Sequence, residues 1–236
     1  MSLVQRILLW AFLASLAGSM VLAFADPSWL AIPAMLVAWY LADLLSGVIH
    51  MYMDYRPCRP GMGLDTIFFY EGSRESEEYQ GLFRERMRRL NPFERISYDF
   101  KNHHPRPDAL GRRQLWRLIG STVIAGALPI SLLGNVAALI WPIPGWFMAG
   151  FAAFLVGGAF AQYFHGTLHR RDNPWFIRGM RKLGLLMSPE AHQIHHDTLK
   201  RDFATNSGWS NPLVNRLFRF LRSQGHLPDA NLEPSS

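Results

Sequence analysis

Four stretches of the chain show apolar positions running on without the polar stripe that a core helix of a soluble protein would carry. Ile7–Phe24 extends for 18 residues without a charge, and Trp29–Ile49 for 21 with Asp43 as its one charge. Leu118–Trp141 and Trp146–Phe164 add 24 and 19 uncharged residues. About 20 apolar residues cross a hydrocarbon core of ~30 Å, so the pattern predicts four transmembrane helices. Ala23-Phe24-Ala25 resembles a signal-peptidase site, but the run before it is long for a signal core and only Arg6 precedes it, which favours a retained span. Elsewhere the pattern turns amphipathic. In Arg74–Leu90, the residues Tyr79, Leu82, Phe83, Met87 and Leu90 share one helical face flanked by Arg84, Arg86, Arg88 and Arg89. That helix either lies in the membrane interface or packs on the rest of the extramembrane part. Trp175–Met187, with Arg178, Arg181 and Lys182, reads the same way. A short helix is predicted from Pro189, with Ser188 as its N-cap. The polar residues after His226 are expected to fray.

Composition agrees with this segregation. The chain is 49% apolar, yet its mean hydropathy is only +0.02. Charge then orients the helices. Of the 24 Lys and Arg residues, one is Arg6, thirteen lie between 54 and 117 and ten between 165 and 236. None lies in Ala25–Ser28 or Pro142–Gly145, the two tight connections. The positive-inside bias therefore puts both hairpins outside, and the N-terminus, central loop and C-terminal tail on the cytoplasmic side. The net charge of +6 is explained by a basic face against anionic head groups and calls for no nucleic acid. Cys58, the one cysteine, excludes an internal disulfide and a four-thiolate zinc site. The expected architecture is an all-α, multi-pass integral membrane protein, one domain over residues 1–236, with four transmembrane helices and a histidine-rich cytoplasmic cap.

The histidines carry the candidate chemistry. His192, His195 and His196 lie within one helical turn, so their imidazoles converge. His165 and His169 are spaced i, i+4 at the cytoplasmic exit of the fourth span, His50 ends the second, and His103 and His104 lie in the central loop. Eight of the nine histidines thus gather on one side of the membrane, with His226 as the bystander. A catalytic zinc takes three protein ligands and a structural one four, so eight imidazoles match two metals with open positions. Nitrogen donors without thiolates suit iron, with zinc as the competitor. Asp54, one turn after His50, and Asp197, next to His196, can each fix an imidazole tautomer from behind. Asp43 is a functional candidate by its place inside the membrane, or else a hydrogen-bonding partner for a neighbouring helix.

These residues together resemble the lipid desaturase domain family, which takes in plasmanylethanolamine desaturases and the plant plastid palmitate desaturase. Ala42-Asp43-x-x-Ser46-Gly47-x-x-His50 with Asp54 is similar to the family's first motif, and His103-His104 to its central pair. His165-x-x-x-His169 and His192-x-x-His195-His196 resemble its last two boxes, and Gly208-Trp209-Ser210-Asn211-Pro212-Leu213 its tail motif. The resemblance covers about Leu41–Leu221. The chain departs from the family in having Ala191 where the last box often has a histidine, and in the 52 residues between His50 and His103, a longer loop than usual.

The resemblance implies a di-iron enzyme, its two Fe ions held by the eight histidines, that desaturates a phospholipid or fatty-acyl chain using O2. Forming the vinyl ether of plasmalogens is one such reaction. Electrons would come from a donor such as cytochrome b5 or ferredoxin with its reductase. The location implied is a bacterial inner membrane or the endoplasmic reticulum. A di-iron hydroxylase on the same scaffold and a non-enzymatic metal or haem binder stay open as alternatives. A zinc protease does not fit, since no His-Glu-x-x-His is present.

Overall fold

A computed structural model describes residues 1–235, and all regular structure among them is helical. The membrane part consists of α1 (Leu3–Ala25), α2 (Ala31–Tyr55), α7 (Leu115–Thr122) continued through a π-helical turn (Val123–Ala127) into α8 (Leu128–Ile140), and α9 (Gly145–Ala159) with α10 (Ala161–Leu168). The rest forms a cap: α3 (Leu64–Phe68), α4 (Glu77–Arg89), α5 (Pro92–His103), α6 (Pro107–Gly111), α11 (Trp175–Lys182), α12 (Pro189–Thr198) and α13 (Asn211–Ser223). Three helices, Leu3–Ala25, Ala31–Tyr55 and Leu115–Ile140, are long and apolar enough to cross a membrane. Their outward positions suit lipid: Leu133 and Leu139 are 70% and 75% exposed.

The fourth apolar stretch is not the straight span its hydropathy predicts. It bends by 51° between α9 and α10. The bend frees carbonyls at the end of α9, and Asn206 Nδ2 donates to one of them, Gly157 O, at 3.0 Å. The π-helical turn has a comparable cause. Pro129, in the first turn of α8, lacks an N–H and its ring presses on the preceding turn, which widens instead of breaking.

Polar contacts and small residues draw the helices together. Ser15 Oγ meets Ser131 Oγ at 2.7 Å, Ser19 Oγ donates to Asn135 Oδ1 at 2.7 Å, and Asn135 Nδ2 donates to Ser15 O at 2.7 Å. At the hairpin end, Gly145 N donates to Asp26 Oδ2 at 2.9 Å, which ties the two connections. Gly157 faces α2 so closely that a Cβ there would lie 2.6 Å from Ala42 Cβ. Gly157→Val is therefore expected to cost about 1–3 kcal/mol through overpacking. A fall in the thermal midpoint of the detergent-solubilised protein checks this, and an unchanged midpoint contradicts it.

Cap packing corrects one expectation. Residues 227–235 do not fray: Leu227 is buried, and Asp229 pairs with Arg222 at 2.8 Å and Lys200 at 3.2 Å. Lys101, itself buried, donates to Asn231 O and to Asp54 O, and so fastens this segment beneath α2.

Candidate metal centre

One face of α2 organises the site. Asp43, Gly47, His50 and Asp54 recur at helical spacing, and all are buried. The Asp43 carboxylate is wrapped by the 207–210 segment. Its Oδ1 accepts from Ser207 N (2.8 Å) and Gly208 N (3.0 Å), and its Oδ2 from Ser210 N (2.9 Å) and Ser210 Oγ (2.7 Å). Gly208 holds φ +77°, a conformation that favours glycine. Gly47 lets the segment approach, since a Cβ there would lie 2.9 Å from Ala204 Cβ. Asn211 Oδ1 accepts from Ala204 N at 2.8 Å, and Pro212 lies in the first turn of α13. The first motif and the tail motif are thus two halves of one junction; Asp43 holds that junction and belongs to neither group of clustered histidines.

The junction fixes the backbone that orients the histidines. Phe203 O accepts from His50 Nδ1 at 2.8 Å, and Arg201 O from His195 Nδ1 at 2.9 Å. The chain reaches these carbonyls through Leu199 and Asp202, both in the left-handed region at φ +54° and +61°. Each such non-glycine residue costs on the order of 1 kcal/mol, and strain of this kind collects at functional sites. Phe100 O accepts from His103 Nδ1 in the same manner. With Nδ1 carrying the proton, each Nε2 is left bare as a ligand atom.

Two donor groups result. His103, His165, His169, His192 and His196 form one, and His50, Asp54, His104 and His195 the other; within each, the ligand atoms lie within 4.8 Å of one another. In the first, His192 Nε2 lies 3.1 Å from His165 Nε2 and 3.2 Å from His196 Nε2. In the second, Asp54 Oδ2 lies 3.4 Å from both His50 Nε2 and His195 Nε2, Asp54 Oδ1 3.5 Å from His104 Nε2, and His104 Nε2 3.3 Å from His195 Nε2. The groups adjoin, with the His103 and His104 rings 4.2 Å apart.

This arrangement fits metal ions. Both Asp54 oxygens are fully buried without a hydrogen bond, and the Nε2 atoms of His50, His103 and His169 are likewise unpartnered. A buried carboxylate with no donor costs several kcal/mol. Charge-assisted hydrogen bonds would be about 2.7–2.9 Å, shorter than the contacts around Asp54. Two ligand atoms about 2.0–2.1 Å from one ion stand about 2.9–3.4 Å apart, from octahedral to tetrahedral geometry, and these separations match. Burial also disfavours the charged form of five of these imidazoles. It holds His103, His104 and His192 well below the usual histidine range, and lowers His169 to about 3 and His196 to about 4, in each case with neighbouring histidines adding to the effect.

All eight expected histidines meet here, and His226 is exposed elsewhere. Asp54 departs from expectation. It stands in front of the imidazoles, among the Nε2 atoms, instead of behind one of them. Asp197 is exposed and accepts from Gln193 Nε2 at 2.8 Å, with no hydrogen bond to an imidazole among the described residues. The carbonyls of Phe100, Arg201 and Phe203 left no mark in the sequence, because backbone acceptors are invisible in side-chain identity; Lys101 went unread because its partners, the Asp54 and Asn231 carbonyls, are backbone groups too.

A cavity of about 370 Å³ opens from the donors into the membrane part. His50, His103 and His165 line one end, Asp99, Arg113 and Arg117 lie beside them, and Leu45, Ile130, Phe154 and Leu155 line the remainder. Asp99 neutralises Arg113 through bonds of 2.6 and 2.7 Å, whereas exposed Arg117 has no ion pair among the described residues.

Comparison with known proteins gives a consistent picture. The lipid desaturase domain matches residues 94–224, more than half of the chain. That region holds seven of the eight clustered histidines; His50 and Asp54 lie before it. Plasmanylethanolamine desaturase of Myxococcus xanthus is 24% identical over 189 residues, which is 78% of this chain and 56% of that protein. This chain therefore spans little more than half of that relative's length. No solved structure matches.

Proposed function

The chain belongs to the lipid desaturase domain family, and from that premise we propose that it introduces a double bond into an alkyl or acyl chain of a membrane phospholipid, using O2 and a pair of iron ions. The observation that carries this reading is the apolar cavity ending on unpartnered, metal-competent histidines. The overall reaction removes two hydrogens from adjacent carbons and consumes O2, two electrons and two protons to give the alkene and two waters. Cytochrome b5 or ferredoxin with its reductase is the class of carrier that would supply the electrons.

Bound iron would supply O2 activation and hydrogen removal from an unactivated C–H bond. The chain's own residues do the rest. His103, His165, His169, His192 and His196 would hold one ion, and His50, His104, His195 and Asp54 the other. Asp54 offsets part of the positive charge in a buried site. The apolar lining binds the hydrocarbon and excludes water. Arg117, beside the donors and without an ion pair, suits the lipid phosphate. The relative named plasmanylethanolamine desaturase makes a plasmanyl lipid, with vinyl ether as product, the first substrate to test.

The test is expression in a host lacking such an activity, with lipid mass spectrometry and metal analysis of the purified protein. Lipids lacking two hydrogens, together with bound iron, are expected. A gain of one oxygen in the lipid indicates hydroxylation and overturns desaturation; a haem absorption band overturns the iron-pair reading.

We place the cap in the cytoplasm, of a bacterial inner membrane or of the endoplasmic reticulum, on the charge asymmetry. Cys58 is buried and a poor reporter. In a Cys58→Ala background, Ser28→Cys is expected to react with an impermeant thiol reagent from outside, whereas Gln193→Cys stays protected until the membrane is opened. Labelling of both from one side contradicts this topology.

A further inference from the structure

Two neighbouring glycines in α9 are glycines for different reasons. Gly157 is required by packing, as its contact with Ala42 shows. Gly158 is not: a Cβ built there meets no atom within 4 Å, and the residue lines the cavity. Gly126, in the π-helical turn, has the same two properties. Within a helix glycine is disfavoured relative to alanine, and close helix approach is the usual compensation in membranes; Gly158 stands in the last turn of α9 and Gly126 in the π-helical turn. Neither position has a close neighbour, so what the missing side chains leave is open space inside the cavity.

That space leads to the donors. The cavity's other end is lined by His50 and His103, both 2% exposed and each with an unpartnered Nε2. Leu118 also lines the cavity, and packs near Gly166, next to His165. Gly126 follows Leu118 by eight residues, about 12 Å of helical rise toward the membrane interior. On α2, Ala42 lies a similar distance of about 12 Å from His50 and lines the same cavity. The π-helical turn widens the wall where Gly126 sits.

We propose that Gly126 and Gly158 set the length of hydrocarbon chain that this cavity accepts. The proposal rests on the reading of the cavity as the lipid-chain site. A saturated chain with its reacting carbons at the histidines extends its remaining methylenes past these glycines, and a larger side chain at either position shortens the available space. One methylene in an apolar pocket changes discrimination by about 10–200-fold, so a leucine should shift the preference strongly.

The experiment compares wild type with Gly126→Leu and Gly158→Leu in cells supplied with saturated lipids of graded chain length. Gly179→Leu serves as control, because Gly179 also meets nothing within 4 Å but lies in α11, away from the cavity. Two quantities are read: the fraction of each chain length desaturated, and the chain lengths of lipids co-purifying with the protein. Both cavity variants are expected to lose long chains at least about tenfold relative to short ones, with iron content unchanged, while the control keeps the wild-type profile. If the leucine variants do not accumulate, Gly126→Ala and Gly158→Ala read the same shift at smaller size. An unaltered profile, or equal loss at every length, overturns the proposal. Wild type that makes no unsaturated lipid, while the variants still retain shorter co-purifying chains, would refute desaturation and leave the length assignment standing.

Discussion

Under the proposed iron-pair reading, Asp54→Asn is expected to abolish desaturation and to remove the ion that His50, His104 and His195 would hold with it. The substitution keeps the side chain's shape and takes away its charge. Both oxygens of Asp54 lack a hydrogen-bond donor and face three Nε2 atoms at 3.4–3.5 Å. An amide in that place would turn N–H groups toward bare nitrogens in some rotamers, and would contribute no negative charge in any. Loss even of a group that merely supports a ligand lowers metal affinity or activity by about 10–100-fold, so loss of a ligand should exceed that. The measurement is iron per chain in purified protein beside unsaturated lipid in the same cells. The other ion, with five imidazoles of its own, should persist. Full iron content in Asp54→Asn would show that the carboxylate is structural, and that His50, His104 and His195 suffice.

Much of this arrangement was legible in the sequence because it depends on local patterns. Hydropathy marks the membrane helices, and spacings such as His192, His195 and His196 mark donors on one helical turn. The histidines needed only the topology to place them on one side. What escaped depends on residues distant in sequence. Asp43 invited a catalytic reading as a charge inside a span, yet its four hydrogen bonds come from residues more than 160 positions away. Asp54 follows His50 by one turn, and spacing alone cannot say whether its carboxylate lies behind the ring or before it. The bend after Ala159 leaves a carbonyl that distant Asn206 satisfies, and the widened turn precedes Pro129; in both cases hydropathy averages over the irregularity. The C-terminal segment looked solvated by composition, but Lys101 and Arg222 hold it. The motifs were therefore readable as a list of parts, and the junction between α2 and the 203–210 segment explains why those parts occur together.

Alanine at any one of His50, His104, His169 and His195 is expected to reduce desaturation by at least about a thousandfold, roughly 4 kcal/mol in the barrier, while the protein remains in the membrane. These residues come from α2, the end of α5, the end of α10 and α12, and His169 belongs to one donor group while the others belong to the second. O2 chemistry at paired ions needs both, so removing a ligand from either group should silence the pair. Insertion should survive, because it is set by apolar length and flanking charge, independently of the cap. Iron analysis then separates the groups: His104→Ala and His195→Ala should resemble Asp54→Asn, whereas His169→Ala should affect the other ion. Lipid mass spectrometry, immunoblotting of membranes and metal analysis on the same cultures read all three quantities. If two or more of these variants keep near-normal activity, the histidines do not form one catalytic centre. If all are silent but lose iron without regard to group, the division into five and four donors is wrong, and the His103–His104 pair, whose rings lie 4.2 Å apart across the boundary, is where the ligands would have to be redistributed.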